Sequence, residues 1–463
     1  MSSNGPLIDL VAKGKQDVNI ISNDIKDSLF QENYTKHTNF SRGSTTVHAK
    51  GSGNWGSSIK YIIPRDGDLL SSLYLNIKVP KIGIDMIKNK SLDTTNYFIK
   101  WSDFLGNGII KKVILRIEGK IIVEQSGTYM QLHTDLYDDD WSKRMMLGHD
   151  GRLNKPSKEI DSDEIYVPLK FWFSDDPSKA IPLVAMRNAE IELEIQLRDF
   201  HQCYSVLKQV SDSNNISNKG FIHSNEEIKI QKLEKIDLEV MYVFLSNKER
   251  EEIALKKHKF LITQVQERSQ MVTHNVNLEL NLNHPVKEFL FIVQPDENIK
   301  QGELFNFSNK LDYIPSLYED ASSIDFTSLD GYNNLPQFHL LDKARILFNG
   351  IERISWKNYK YFFYLQNYEH FKSTPENFVY IYCFALYPTS NNPSGSCNFS
   401  RIDMSEIQAR FSQVPIKQVS SNIGNLAING SVTPDYPSHF TLFATNYNYL
   451  IIQDGMASLE FAN

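Results

Sequence analysis

The chain has 463 residues, 41% hydrophobic and 23% charged, with 27 Phe and 22 Tyr against 5 Trp. That length exceeds one ordinary domain and suits two of roughly 200 residues, each able to bury a core without metals or disulfides. A formal net charge of −7 and a sequence pI near 6.0 argue against the basic face that wrapping nucleic acid requires.

The opening run MSSNGPLIDLVAKGKQD has no apolar signal-peptide core. No later stretch reaches the ~18–20 apolar residues of a membrane span. A soluble product of a cytoplasm is expected, and Cys203, Cys383 and Cys397, odd in number and without a C-x-x-C, suit a reducing compartment.

Strand patterns follow in chain order. Residues 73–79 put Leu73, Leu75, Ile77 and Val79 on one face. Gly106-Asn107-Gly108 lacks the further glycine, lysine and hydroxyl of a phosphate loop and reads as a turn between strands. His133 and Asp135 precede Asp138-Asp139-Asp140, a grouping a hard cation favours, but without EF-hand spacing a solvated acidic loop is the preferred reading. Residues 190–197 and 276–282 alternate strictly, and residues 238–244 less so. A period of two marks antiparallel sheets with one wet face, and many short strands between turns mark a sandwich or barrel.

Ser246-Asn247-Lys248-Glu249 has capping-box spacing and predicts a helix through Lys256, just past mid-chain, where a connector belongs. The basic run Lys256-Lys257-His258-Lys259 reads as a solvated surface. Residues 138–164, 205–234 and 300–337 read as long surface loops. The sequons at Asn33 and Asn306 carry little weight without a secretory signal.

The two halves echo each other in order. Residues 115–119 and 346–350 are strands ending at a glycine turn, offset by 350 − 119 = 231. Residues 166–171 and 380–385, Pro177-Ser178 and Pro393-Ser394, and Arg187 and Arg401 are offset by 214–216 (380 − 166, 393 − 177, 401 − 187). Each half closes on an aromatic strand, at residues 240–245 and 443–452. Chance matching of short apolar strands is the competing reading. A period this long implies two copies of one domain, since solenoid repeats run to ~20–50 residues. The first half carries 231 − 214 = 17 extra residues, and residues 138–164 have room for them.

Several motifs resemble one family. Residues 10–17 (LVAKGKQD), the run Tyr34-Thr35-Lys36-His37-Thr38-Asn39-Phe40, and Pro168-Leu169-Lys170-Phe171-Trp172-Phe173-Ser174 followed by Ile181-Pro182-Leu183-Val184-Ala185 are similar to segments of the major capsid proteins of nucleocytoplasmic large DNA viruses. The most specific match is Asn392-Pro393-Ser394-Gly395-Ser396-Cys397-Asn398-Phe399-Ser400-Arg401-Ile402-Asp403. Asn446-Tyr447-Asn448-Tyr449-Leu450 with Gly455-Met456 resembles the family's C-terminus. Residues 26–32 are more polar than the family pattern.

The resemblance implies an all-β fold of two tandem eight-stranded jelly-roll sandwiches, a double jelly roll, with short helices in loops and linker. It implies an N-terminal arm (1–28), a first jelly roll (29–245), a helical linker (246–257) and a second jelly roll (258–463). The expected role is a structural major capsid protein whose homotrimers form pseudo-hexagonal capsomers of an icosahedral shell. Implied partners are itself, neighbouring capsomers, minor capsid and penton proteins and an inner membrane, with no direct nucleic acid. The implied place is the virion, assembled in host cytoplasm. The alternative is a carbohydrate-binding, lectin-like jelly roll, and a two-carboxylate glycoside hydrolase ranks behind it.

No catalytic, cofactor-binding or metal residue is expected, and no cofactor. His37 with Asn39 lacks a nucleophile context such as G-x-S-x-G and reads as structural. Pro393-Ser394-Gly395 reads as a tight turn. Arg401 and Asp403 read as an ion pair or turn clasp, with an inter-subunit contact as the sharper possibility.

Overall fold

The computed structural model describes residues 37–461, apart from 52, 138–140, 213–214, 273–274, 309–338, 372–374, 376 and 412–437. The signature at residues 10–17, Tyr34 to Lys36, the sequon at Asn33, the three consecutive aspartates and most of residues 300–337 lie outside the described residues.

The first half contains β1 (Phe40–His48), β2 (Ser58–Ile62), β3 (Leu69–Val79), β4 (Ile82–Gly83), β5 (Tyr97–Trp101), β6 (Ile110–Ile117), β7 (Lys120–Ser126), β8 (Glu159–Ile160), β9 (Asp163–Pro168), β10 (Ile181–Pro182), β11 (Ile191–Leu197), β12 (Tyr204–Asp212), β13 (Asn215–Ser224) and β14 (Lys235–Leu245). After the helix Asn247–Leu255 come β15 (His258–Val272), β16 (Asn275–Glu279), β17 (Pro285–Pro295), β18 (Leu341–Phe348), β19 (Ile351–Asn358), β20 (Tyr380–Cys383), β21 (Cys397–Asn398), β22 (Ser405–Phe411), β23 (Ser438–Gln453) and β24 (Met456–Leu459).

The halves share one topology. In the first, one sheet runs β1-β14-β3 with β9 and β10 along the free edge of β3, and the facing sheet runs β2-β11-β6-β7. In the second, β15-β23-β17 carries β20 and β21 along β17, and the facing sheet runs β16-β22-β18-β19. All these pairings are antiparallel, so each half is a jelly roll of two facing sheets.

The offsets have a structural cause. Ile117 pairs with Ile191, and Phe348 with Ser405, which places both offsets on equivalent ladder positions. The hairpin β6–β7 turns at Glu118-Gly119 with φ of 52° and 74°, and β18–β19 turns at Asn349-Gly350 with 51° and 79°. Two left-handed residues give the twist that a two-residue hairpin needs. The first half's extra length falls in residues 127–162, between β7 and β9, against residues 359–379 between β19 and β20. Arg187 and Arg401 are not equivalent: Arg401 ends the 3-10 turn Phe399–Arg401, whose counterpart is Leu183–Ala185.

Alternation works where one face is wet. β11 buries Ile191, Leu193, Ile195 and Leu197 and leaves its glutamates on the outer face. The expectation of one wet side fails for β23. There Phe440, Leu442 and Ala444 enter the second core, while Phe443 joins the first core cluster with Leu75, Val113 and Leu193. The outer face of the β15-β23-β17 sheet is therefore covered by the first sandwich.

Three other expectations are corrected. Residues 205–234 are not a simple loop: β12 and β13 form a hairpin that extends β5 into a three-stranded sheet. Residues 138–164 hold the helix Trp141–Met146 and bury Leu147 and Leu153. The helix at 247–255 forms where expected, but not through a capping box. The Ser246 hydroxyl donates to the Glu249 carboxylate at 3.2 Å, and no side chain caps a backbone N–H.

Candidate functional site

The seam between the sandwiches concentrates the buried polar chemistry. β7 runs beside β15, and Gln264 Nε2 donates to the Ile122 carbonyl at 2.5 Å. The helix Gly127–Tyr137 continues from β7 and reaches the outer face of the second sandwich's β15-β23-β17 sheet. The Tyr129 and Thr445 hydroxyls share a hydrogen bond of 3.3 Å, and the Tyr129 ring lies 5.9 Å from Phe443. Two turns on, Lys287 Nζ donates to the Tyr137 hydroxyl at 2.9 Å, and that hydroxyl donates to the Glu288 carboxylate. Burial first, then the Glu288 charge, raises the Tyr137 phenol well above its usual range, so it stays protonated and remains a donor.

A second anchor comes from the helix Asp296–Lys300 and the residues after it. Leu304, Phe305 and Phe307 are buried in the first core cluster. Glu303 meets Lys100 at 2.7 Å and His223 at 3.2 Å. Gly302 sits at φ +77°, where an added Cβ would stand 2.1 Å from the Tyr204 carbonyl oxygen, so close approach and conformation both require glycine. A third anchor joins the chain's end to the first sandwich: the Ala457 N–H donates to Glu118, and the Asn188 N–H to the Gly455 carbonyl, each at 3.1 Å.

The seam's surfaces have counterparts that carry exposed apolar residues among the described residues. By topology β19 matches β7, the helical segment around Tyr361–Leu365 and Gln366–His370 matches Gly127–Tyr137, and β1, β14 and β3 match β15, β23 and β17. Tyr129 in the seam is 4% exposed, whereas Ile351, Tyr364 and Tyr368 on the matching surface are 74%, 54% and 87% exposed. On the matching receiving face Phe40 and Tyr166 are 48% and 40% exposed.

The residues singled out by sequence land as follows. His37 stacks edge-on against Phe40 at 5.9 Å and contacts the Thr38 carbonyl. His133 and Asp135 are not in a solvated loop. They lie on the helix Gly127–Tyr137, where Asp135 is buried and accepts from Gln131 at 2.8 Å, and His133 stacks on Tyr137 at 4.2 Å. Gly106-Asn107-Gly108 is a buried helical turn, not an exposed one, and Asn107 donates to Gln131 at 2.9 Å.

Pro393-Ser394-Gly395 is a close backbone crossing and not a tight turn. Ser394 accepts from the Leu386 and Tyr387 N–H groups, and Gly395, at φ +137°, passes over Phe384 and Ala385. Arg401 and Asp403 are exposed outside any strand and form no ion pair with each other among the described residues. Sequence reasoning missed Tyr129, Lys287, Glu288 and Glu303, which no motif marks. Among the described residues no group of His, Cys, Asp and Glu is placed to hold a metal ion, and no helix is long and apolar enough to cross a membrane.

Comparisons with known proteins agree with this architecture. The family described as "Large eukaryotic DNA virus major capsid protein" matches residues 249–458, and "Major capsid protein N-terminus" matches residues 28–246. The major capsid protein of Phaeocystis pouchetii virus is 27% identical, over 99% of this chain and 100% of its own length. That of Paramecium bursaria Chlorella virus 1 is 28% identical, with the same two coverages. A chain of the PBCV-1 virus capsid superposes with a TM-score of 0.71 at 25% identity, covering 94% of this chain and all of its own. The Faustovirus major capsid protein shares the fold, with a TM-score of 0.67 at 14% identity over 92% of this chain and 93% of its own. The lectin alternative finds no support among these relatives. Two matching sandwiches joined by a polar seam, and relatives along nearly the whole length, establish that the chain belongs to the double jelly-roll major capsid proteins of large eukaryotic DNA viruses, a family of structural virion components and not of enzymes.

Proposed function

We propose that three copies of the chain close into a pseudo-hexagonal capsomer by repeating, between chains, the seam that already joins the two sandwiches within one. The observation that carries this is the exposed apolar surface of the Tyr361–His370 region, whose first-sandwich counterpart, the helix Gly127–Tyr137, packs against the second sandwich. The second sandwich of one chain would set this surface on the β1-β14-β3 face of the next. A head-to-tail contact makes a ring when its rotation closes. Two alike domains in each of three chains provide six near-equivalent corners, so a threefold ring packs as a hexagon. The between-chain contacts are expected to be obligate and to bury more than ~2,000 Å² in total.

The rest of the reading follows from that ring. Capsomers tile an icosahedral shell through weaker polar contacts with neighbours, with minor capsid and penton proteins and an inner membrane as further partners and no direct contact with nucleic acid. Assembly takes place in host cytoplasm. The divisions at 28, 245 and 257 belong to the same proposal: arm, first jelly roll, linker and second jelly roll.

Sedimentation of the purified full chain tests it. The expected species at micromolar concentration has three times the 53.4 kDa chain mass. The double substitution Leu365→Glu with Tyr368→Glu, at exposed positions, is expected to yield folded monomers with an unchanged far-UV spectrum. A stable wild-type monomer would remove the reading, and a variant that still trimerises would remove the surface assigned to it.

A further inference from the structure

The outer faces of the two matching sheets handle charge in opposite ways. On the first sandwich, Glu194 of β11 stands opposite Lys60 on β2, and Glu192 opposite Arg116 on β6. These cross-strand neighbours differ in sign, and the charges close on themselves: Lys60 meets Glu192 at 2.9 Å, and Arg116 meets Glu194 at 3.2 Å. On the second sandwich the corresponding sheet, β16-β22-β18-β19, sets like charges opposite each other. Arg410 on β22 stands opposite Lys343 on β18, and Glu406 on β22 opposite Glu279 on β16. Like charges directly opposite destabilise a sheet, whereas opposite charges in the same place support it.

The two like-charged pairs sit at opposite ends of one face. Ile407 and Ala409 enter the second core, so Glu406, Gln408 and Arg410 share the outer side, and four residues of strand separate its ends by ~13 Å. At the cationic end the half-exposed Trp356 ring has three cations around it, Arg345 and Arg410 at 4.9 Å and Lys343 at 5.8 Å from its centroid. Arg345 is compensated by Glu352 at 2.8 Å. Lys343, Arg410, Glu279 and Glu406 form no ion pair among the described residues. One end of the face therefore keeps two uncompensated cations, and the other end two uncompensated carboxylates.

We propose that this face is a contact between two copies of the chain, in which the cationic end of each second sandwich covers the acidic end of the other. A twofold contact uses the same patch on both sides, so that patch must complement itself. Two faces laid on each other are related by a twofold axis along the strands or by one across them. An axis along the strands would set Lys343 and Arg410 against the same residues of the other copy. An axis across the strands, passing near Gln408, reverses one face and sets Lys343 and Arg410 over Glu406 and Glu279 of the other copy. Complementary charge of this kind fixes register and partner more than it adds affinity, which suits a contact weaker than the one that closes a capsomer. The first sandwich's face, its charges already matched, has no such drive. In a shell the contact gives the polar meeting of neighbouring capsomers a surface, and only that placement rests on the proposed capsomer.

Sedimentation of the purified full chain at about 0.05 M and about 0.5 M sodium chloride tests this, since the screening length falls from about 14 Å to about 4 Å. The smallest unit is expected to associate further with itself at low salt and to stand alone at high salt. Two charge reversals keep the like-signed pairing of the sheet: Lys343→Glu with Arg410→Glu, and Glu279→Lys with Glu406→Lys. Each is expected to keep a thermal midpoint near wild type and the same smallest unit, and to lose self-association by about tenfold or more. An equal mixture of the two is expected to recover it, because each face then meets its opposite. Wild-type units that stay apart at low salt or associate regardless of salt, either variant associating alone as the wild type does, or a mixture without recovery would overturn the proposal. Loss in the Lys343 and Arg410 variant alone would instead mark a site for an acidic partner of another kind. The mass of the smallest unit tests the ring and its further association tests this face, so each fails without the other.

Discussion

Glu303 shows how single residues set the relation between the halves. Burial on its own raises its carboxyl, but Lys100 and the His223 hydrogen bond outweigh burial and hold it below the usual carboxylate range. Asp103 follows the same pattern: burial opposes ionisation, and Lys100, His149 and Asn154 prevail. A carboxylate depressed in the folded state contributes stability that is present above its unfolded value, near ~4.3 for glutamate, and lost as pH falls through the folded value. Glu303→Gln leaves Lys100 buried without that partner, which is expected to cost about 3–5 kcal/mol at neutral pH. The cost should shrink at pH 3, where the wild type begins to lose the same interaction. Urea unfolding at pH 7 and pH 3 measures both, and an equal penalty at the two pH values would contradict the linkage. None of this was legible in the sequence. Glu303 lies inside a stretch read as a loop, and its partners are about 80 and 200 residues away, so only the fold reveals the cluster.

At the scale of elements, legibility followed the environment of each face. The strand at residues 190–197 and the β16 strand were readable because water on one side enforces the period of two. The hairpin turns were readable from Glu118-Gly119 and Asn349-Gly350, because few residues accept two successive left-handed conformations. The helix Gly127–Tyr137 was not, since His133, Thr134 and Asp135 resemble an acidic loop until the second sandwich covers them. In β23, too, Thr441, Thr445, Asn446 and Asn448 are polar and all are buried. A polar seam between two sandwiches has the sequence pattern of a solvated surface, and periodicity cannot separate the two.

Two glycine substitutions test the element geometry. At Gly119, φ is +74° and no atom lies within 4 Å of an added Cβ, so Gly119→Ala is expected to cost only the left-handed penalty of about 1–2 kcal/mol. At Gly127 an added Cβ would meet the Ile110 and Asn107 carbonyl oxygens at 2.1 and 2.3 Å, so the strand-to-helix junction must shift. Gly127→Ala is expected to cost about 3 kcal/mol or more. Urea midpoints rank the two, and a milder effect at Gly127 would mean that the junction is looser than its contacts indicate. Tyr137→Phe removes the hydroxyl that bridges Lys287 and Glu288, leaving their direct 3.7 Å contact, and is expected to cost about 1–3 kcal/mol through buried groups left unmatched. An unchanged unfolding midpoint would show that this link does not hold the seam.

For the whole molecule, duplication accounts for the fold and, on the proposed reading, for the mode of assembly. One sandwich packs its last hairpin strand and the helix after it onto the outer face of the other, and the matching helical region of the second sandwich stays exposed among the described residues. In the proposed ring the exposed tyrosines of the Tyr361–His370 region would meet the β1-β14-β3 face of the next chain. The most direct test is an electron cryo-microscopy reconstruction of the assembled particle at a resolution that separates strands. It is predicted to show the Tyr361–His370 region of one chain seated on β14 and β3 of the next, with Tyr368 buried. Capsomers in which that region faces solvent, or in which β14 meets some other element, would contradict it.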